Sequence, residues 1–363
     1  MPSYIVVVSP SYGGAEKRFF DILTGLRRGG DDVRLIAPSS LVDRLRQDHA
    51  DRGDVLEALI PVPMPRWGPA AFALRFRRLL RTLPRGSHFH YPINCLWPLH
   101  LGRGDRVTLS MVDCTRVPSL FGGTLNSAWT WLAFFAVDRI DVLNPAMLGA
   151  MRAYRRAPVM SLTPGGTFMV PPPDTAMAKA PTVVLLGRLV PGKGVDEVLG
   201  VLPRTWQLLR DTQACDCSFQ IAGYGAMEAQ VHARVESLRA AGVPVCFVGY
   251  AAANALLAGA AVVLSMQDTT NYPSRVVAEG LMMGCGVIVR DTGDSREFGS
   301  DLPGLEYCKA RLDAEELALL IARLIRQVLT MAGFSARVRE AARQRFSSLA
   351  YINYFRRLIV AAP

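Results

Sequence analysis

What most constrains the fold of this sequence is a repeated motif: a short β-branched apolar run, then a turn, then an amphipathic helix. Ile5-Val6-Val7-Val8 is the first such run, continuous in the manner of a strand buried on both faces of a parallel sheet. Ser9-Pro10-Ser11-Tyr12-Gly13-Gly14 supplies turn chemistry. From Ala15 to Arg28 the residues Ala15, Phe19, Phe20, Ile22, Leu23 and Leu26 fall at helical spacing. Arg27-Arg28 ahead of Gly29-Gly30 then ends the helix, with cations at its negative pole and glycine for the left-handed cap. Val33-Arg34-Leu35-Ile36 reads as the next strand, and short strands follow near 106–112 and 139–143.

Residues 164–181 interrupt the pattern with five prolines, two glycines and no periodicity, the composition of a linker. Alternation then restarts, with strands expected at Thr182–Leu186, Ser218–Ala222, Val245–Val248, Ala261–Ser265 and Gly286–Arg290. Phe334 to Ile359 reads as helices alone. A chain of 363 residues, 50% hydrophobic and 20% charged, has the composition of two globular domains and excludes disorder, collagen and coiled coil. The expected fold class is α/β, with two Rossmann-like domains facing a cleft. Its expected limits are 1–167 for the first domain, 168–180 for the linker, 181–345 for the second domain and 346–363 for a C-terminal helix.

Seven cysteines, scattered and without a Cys-x-x-Cys pair, point to reduced thiols in a cytoplasmic protein. The N-terminus shows no secretion signal, and the most apolar stretch, Leu125–Val137, falls short of a membrane span. The net charge of +10 is uneven: residues 1–180 carry 22 Lys and Arg against 14 Asp and Glu. An anionic partner for the first half follows. Arg66, Arg75, Arg77, Arg78, Arg81 and Arg85 alternate there with Trp67, Phe72, Phe76, Leu79 and Leu80. Residues 66–85 read either as an interfacial helix on an anionic membrane surface or as a solvated helix face. Nucleic acid is not expected, because no binding motif accompanies the charge.

Three segments carry candidate chemistry. Gly13-Gly14, between a strand and a helix N-terminus, suits a phosphate or a polar sugar, and equally a tight turn. Gly187-Arg188-Leu189-Val190-Pro191-Gly192-Lys193-Gly194 places two cations in a glycine-punctuated loop directly after a buried strand. Arg188 as a planar fork and Lys193 as a point charge can clamp a diphosphate there, although two loop cations are often merely solvated. Asn271-Tyr272-Pro273-Ser274-Arg275 opens a helix in which Glu279 can accept a bidentate bond from ribose hydroxyls or stand as a surface glutamate. Gly223-Tyr224-Gly225 is half of a dinucleotide fingerprint whose third glycine is Glu228, so a nicotinamide cofactor is disfavoured. A zinc site would need His88, His90 and His100 to converge with a fourth ligand, and zinc is not expected.

These segments, with Phe247-Val248-Gly249-Tyr250, give the chain a resemblance to glycosyltransferase family 4, the retaining, nucleotide-sugar-dependent enzymes of the GT-B fold. The resemblance implies two Rossmann-like domains with C-terminal helices crossing back to the N-domain, and neither cofactor nor metal, the nucleotide sugar being a substrate. It implies that Arg188 and Lys193 neutralise the departing nucleoside diphosphate, and that Gly13, Gly14, Tyr250, Asn271, Ser274, Arg275 and Glu279 bind the donor. Asn271 stands where the family pattern has a glutamate, with Asp268 a nearby carboxylate able to stand in. The family often has a histidine before an aspartate at the end of an N-domain strand; here Val112 replaces the histidine and Asp113 remains as the catalytic candidate. The implied function is transfer of a sugar to a hydroxyl of a glycan or lipid-linked acceptor, in polysaccharide or lipopolysaccharide synthesis, in the cytoplasm or peripheral on the inner membrane face. A sugar-nucleotide epimerase and a non-catalytic nucleotide-sugar-binding protein are the rival readings.

Overall fold

The computed structural model describes residues 1–9, 13–64, 69–92, 95–111, 129, 131–143, 145, 148–149, 159–164, 178–211 and 216–360. Asp113, Arg66, Trp67 and residues 168–177 of the expected linker lie outside the described residues. The chain divides into two compact units, Met1–Gly166 with Leu349–Pro363, and Thr167–Ser348.

The first unit is built on seven parallel strands: β1 (Ser3–Val6), β2 (Val33–Pro38), β3 (Leu59–Val62), β4 (His88–Tyr91), β5 (Arg106–Met111), β6 (Arg139–Val142) and β7 (Val159–Leu162). They lie in the order β3-β2-β1-β4-β5-β6-β7, so the direction of strand succession reverses between β1 and β4. Ile5 pairs with both Leu35 and His90, burying β1 between neighbours. Pro61 falls on the edge strand β3, where a missing N–H costs no ladder bond. The helices are α1 (Gly14–Arg28), α2 (Ser39–Asp48), α3 (Gly53–Leu56) and α4 (Pro69–Leu80).

Alternation along β4 sorts its side chains between two layers. Phe89 and Tyr91 face α4, where Phe89 meets Phe76 edge-on at 6.4 Å and stacks on Tyr4 at 5.0 Å. His88 and His90 face the opposite layer. There a polar seam crosses the sheet: Thr108 Oγ1 lies 2.9 Å from His88 Nε2 and 2.8 Å from His90 Nδ1, and Ser110 Oγ lies 3.1 Å from His90 Nε2. Ser110 donates to Asp141 at 2.9 Å, and Thr163 donates to the same carboxylate at 2.6 Å. Burial leaves both histidines neutral, pushing His88 down to about 3 and His90 well below its ordinary value. His100 is not part of this seam; it lies against Phe89 and bonds Asp105 at 3.0 Å. Among the described residues no three His, Cys, Asp or Glu are placed to hold a metal ion.

The second unit carries six parallel strands: β8 (Ala180–Leu186), β9 (Ser218–Ala222), β10 (Val245–Gly249), β11 (Ala260–Ser265), β12 (Gly286–Arg290) and β13 (Leu305–Cys308). Their order is β10-β9-β8-β11-β12-β13, with the reversal between β8 and β11. Its helices are α5 (Val195–Asp211), α6 (Glu228–Ala240), α7 (Ala253–Ala258), α8 (Arg275–Met282), α9 (Ala314–Thr330) and α10 (Phe334–Arg345). Val183, Val184, Val263, Leu264, Val287 and Ile288 are buried in the middle of the sheet, beneath Leu202 of α5 and Ile321 and Leu324 of α9. Asp313 caps α9 by accepting from the Glu316 N–H at 2.9 Å. Strand β13 was not expected: Leu-Glu-Tyr-Cys lacks a β-branched run and pairs on one side only. Helix α8 begins at Arg275, so Pro273 precedes the first turn rather than opening it.

The segment 349–363 returns to the first unit. Helix α11 (Ser348–Phe355) packs on α1 where Gly25 leaves room for Ile352, whose side chain a Cβ would overlap. Phe355 lies against Phe19 and His90, Tyr354 bonds Asp141 and Ser161, and Arg356 pairs with Asp31 at 2.8 Å. Ser3 donates to the Ile359 carbonyl at 2.9 Å. Among the described residues, no single helix is long and apolar enough to cross a membrane.

Candidate active site

Ligands of open α/β sheets bind beyond the carboxyl ends of the strands, where the strand order reverses. In the second unit that point lies between β8 and β11, and the loops leaving these two strands are Gly187–Gly194 and Met266–Ser274. The sequence put both expected cations on the first of them. Backbone bonds knit the neighbouring loops together: Leu189 N–H to Tyr224 O at 2.8 Å, Met227 N–H to Leu189 O at 2.9 Å, Asp268 N–H to Gly192 O at 3.1 Å and Gly223 N–H to Gly249 O at 2.8 Å.

Two glycines make this closeness possible. Gly223 has φ +150° and a Cβ there would overlap the Gly187 carbonyl; Gly194 has φ +77° and a Cβ would overlap the Met266 carbonyl. Both the backbone angle and the contact exclude other residues. The strand ends are thus drawn together by main chain.

Lys193 is half-buried and contacts the Gln267 side-chain oxygen, which accepts from its ammonium. Burial lowers the Lys193 pKa, the neighbouring Arg188 lowers it further, and Asp268 acts in the opposite sense. Arg188 is exposed. The arrangement concentrates positive charge at the reversal point, with one carboxylate beside it. Tyr250 is exposed after β10, edge-on to Tyr224 at 5.6 Å and 70°.

Asn271 is 1% exposed, and its carboxamide is turned into the protein. Its Oδ1 accepts from Ser265 Oγ at 2.9 Å and from the Gln267 N–H at 3.1 Å. Its Nδ2 donates to Arg290 O at 2.8 Å and to Gln267 O at 3.3 Å, with Thr292 Oγ1 and Ser295 Oγ each at 3.3 Å. A side chain so engaged ties the ends of β11 and β12 together. Ser274, the residue before α8, is likewise buried, 3.4 Å from Ser265 Oγ. Arg275 and Glu279 form an i,i+4 ion pair at 3.1 Å on α8, so the expected ribose carboxylate already holds a guanidinium.

In the first unit, Gly13 and Gly14 stand at the N-terminus of α1 as the sequence suggested. The Gly13 N–H donates to Glu16 Oε2 at 2.9 Å, so the protein's own carboxylate occupies the place an anion would take. A Cβ on Gly14 would meet nothing within 4 Å.

Sequence reasoning missed Gln267, Thr292 and Ser295. A signal existed for Gln267, two residues beyond the end of β11 at the reversal point. Thr292 and Ser295 carried none, because their relation to Asn271 depends on which strand lies beside which.

Residues 180–327 match the family described as glycosyl transferases, group 1. No curated protein matches the sequence. The fold of the whole chain is similar to that of Anabaena Alr3699/HepE, solved with UDP and glucose, with a TM-score of 0.73, 16% identity and 99% of each chain covered. It is similar to a single-residue mutant of S. aureus TarM, solved with fondaparinux, α-GlcNAc-glycerol and UDP, with a TM-score of 0.76, 11% identity and 99% of this chain and 100% of that one covered. The pneumococcal O-GlcNAc transferase GtfA, solved with UDP and GlcNAc, gives a TM-score of 0.70 and 9% identity, with 98% of each chain covered. Residues 180–327 are thus a group 1 glycosyltransferase domain, in a chain that has the GT-B fold over nearly its whole length.

Proposed function

We propose that this glycosyltransferase moves a sugar from a nucleoside diphosphate donor to a hydroxyl of a glycan or lipid-linked acceptor, with the anomeric configuration retained. The observation that carries the reading is the half-buried Lys193 ammonium at the β8–β11 reversal, beside Arg188. Departure of a diphosphate from an oxocarbenium-like centre builds negative charge on the leaving oxygens. Cations already fixed by the fold stabilise that charge without reorganising when it forms. In the retaining route, the acceptor oxygen forms its bond to the anomeric carbon on the face that the diphosphate leaves. A donor phosphate oxygen takes the acceptor proton. The three similar structures were solved with UDP, which makes UDP-sugars the first donors to try.

Charge in the first unit supports an anionic or membrane-bound acceptor. On α4, Phe72, Phe76 and Leu80 are buried while Leu74, Arg75, Arg77 and Arg78 are exposed, with Arg81 and Arg85 exposed just beyond. This is the amphipathic cationic face that anionic lipid attracts. The setting proposed is therefore polysaccharide or lipopolysaccharide assembly at the inner membrane face.

A thermal-shift panel of UDP-, GDP- and ADP-sugars tests the donor, since a ligand that binds the folded state raises its melting temperature by mass action. NMR of the product formed with the stabilising donor then reads the anomeric configuration. An inverted product overturns the retaining mechanism, and epimerised donor in the absence of acceptor overturns transfer.

A further inference from the structure

The loop that carries Gln267 is held in an unusual way. Asn271 bonds both sides of the Gln267 backbone, its Oδ1 taking the N–H at 3.1 Å and its Nδ2 reaching the C=O at 3.3 Å. Thr292 Oγ1 donates to the same carbonyl at 2.8 Å. Asn271 is in turn referenced to the ends of two core strands, through Ser265 of β11 and the Arg290 carbonyl of β12. The Gln267 backbone is therefore fixed to the sheet, and its side chain reaches across to the loop after β8 to accept from Lys193. An ammonium cannot accept a hydrogen bond, so the Gln267 oxygen, and not its NH2, must face Lys193.

We propose that Asn271 and Gln267 are positioning residues, a two-carboxamide relay that holds the Lys193 ammonium in place for the diphosphate of the donor. The proposal rests on the reading of Lys193 as a diphosphate-binding cation. A lysine on a four-carbon stem has rotamer freedom to lose when it grips a phosphate, and a partner that restrains it beforehand lowers that loss. One N–H goes to Gln267, and two remain for phosphate oxygens.

Neutrality at both relay positions follows from the contacts. A carboxylate at 271 would turn an acceptor oxygen toward the Arg290 and Gln267 carbonyls, which are themselves acceptors. A carboxylate at 267 would pair with Lys193 and cancel charge that the phosphate needs. Arg188 and Asp268 already act on the ammonium in opposite senses, and an added anion would offset more of the positive charge. The amide at 271 thus has a use: it can donate and accept on one side chain.

The test uses the full chain and calorimetric titration with UDP, GDP and ADP, each paired with its nucleoside. With whichever diphosphate binds tightest, Lys193→Ala weakens binding. Gln267→Met weakens it about tenfold, the worth of one charge-assisted hydrogen bond, and leaves nucleoside binding unchanged. In the Lys193→Ala background, Gln267→Met has no further effect, since the relay acts only through the ammonium. Asn271→Asp weakens diphosphate binding in the same direction, again only while Lys193 is present.

Four lysines, Lys17, Lys179, Lys193 and Lys309, make the ammonium directly visible by ε-13C lysine NMR, with Lys193→Arg assigning its signal. Lys193 is expected to titrate below the ordinary lysine value, and Gln267→Glu is expected to move that titration up, a response that a purely structural loop residue would not give. If Lys193→Ala weakens binding but Gln267→Met does not, or adds to it, the relay is wrong and the cation site stands. If Lys193→Ala binds all three diphosphates as the parent does, or the parent binds none, the site reading falls and the relay with it. A Lys193 titration that ignores Gln267→Glu overturns the relay without recourse to any binding variant.

Discussion

The Tyr354 hydroxyl in α11 donates to Oδ1 of Asp141 in β6, joining residues 213 positions apart within the first unit. Asp141 is fully buried, and Ser110 and Thr163 donate to it as well. Arg18 of α1 stands 3.9 Å from its other oxygen while lying over the rings of Tyr351 and Phe355. Removing the phenol leaves a buried carboxyl with one donor fewer. Tyr354→Phe is therefore expected to destabilise the protein by about 1–3 kcal/mol, read by urea unfolding. An unchanged midpoint would show that the Tyr354 hydroxyl does not help to hold the C-terminal helix.

Acid should weaken the first unit through its buried histidines. His88 titrates near 3 when folded and near 6.5 when unfolded, so below pH 6.5 the unfolded chain binds more protons and stability falls. His88 alone then costs about 2 kcal/mol by pH 5, and His90, shifted the same way by burial, adds to it. Asp141 is raised by burial and works in the opposite sense: its contribution is present at low pH and fades as pH rises through its folded value. Unfolding free energies measured between pH 7 and pH 5 should fall with acid, and His88→Gln should flatten the slope.

The meeting of loops at the β8–β11 reversal leaves no room for a side chain at Gly223. Gly223→Ala adds a Cβ onto the Gly187 carbonyl in a backbone region that alanine avoids. A loss of about 1–3 kcal/mol or more is expected, with weaker nucleotide binding, whereas Gly14→Ala, which meets nothing, should change stability little.

Lys193→Ala is expected to lower kcat with the accepted donor by about 100- to 1,000-fold, with a smaller change in KM. Loss confined to KM would mean that the ammonium binds the ground state and does not stabilise the departing diphosphate.

Replacing Arg75, Arg77 and Arg78 by glutamine should abolish salt-sensitive sedimentation with vesicles containing anionic lipid while leaving the melting temperature unchanged, because all three are exposed. Sedimentation that survives these changes would remove α4 from the membrane reading.

Legibility in the sequence followed locality. Strands such as β11 and β12 announced themselves because burial on both faces admits almost only Val, Ile, Leu and Ala, as Ala261–Leu264 and Gly286–Val289 show. The alternation of His88 and His90 was visible, but not that Thr108 and Ser110 of β5 partner them or that Ser110 in turn donates to Asp141 of β6. Glycine loops and cations were readable because each follows a strand in sequence. The bonding of Asn271 was not readable, because its partners Arg290, Thr292 and Ser295 sit 19, 21 and 24 positions downstream, within reach only once β12 lies beside β11.

The return of residues 349–363 to the first unit has a consequence for synthesis. A ribosome delivers β1 to β7 early, then all of the second unit, and only afterwards the helix that covers Phe19 and His90. Throughout that interval the nascent first unit must carry an uncapped apolar layer and an unshielded Asp141, so its maturation waits on translation of everything between.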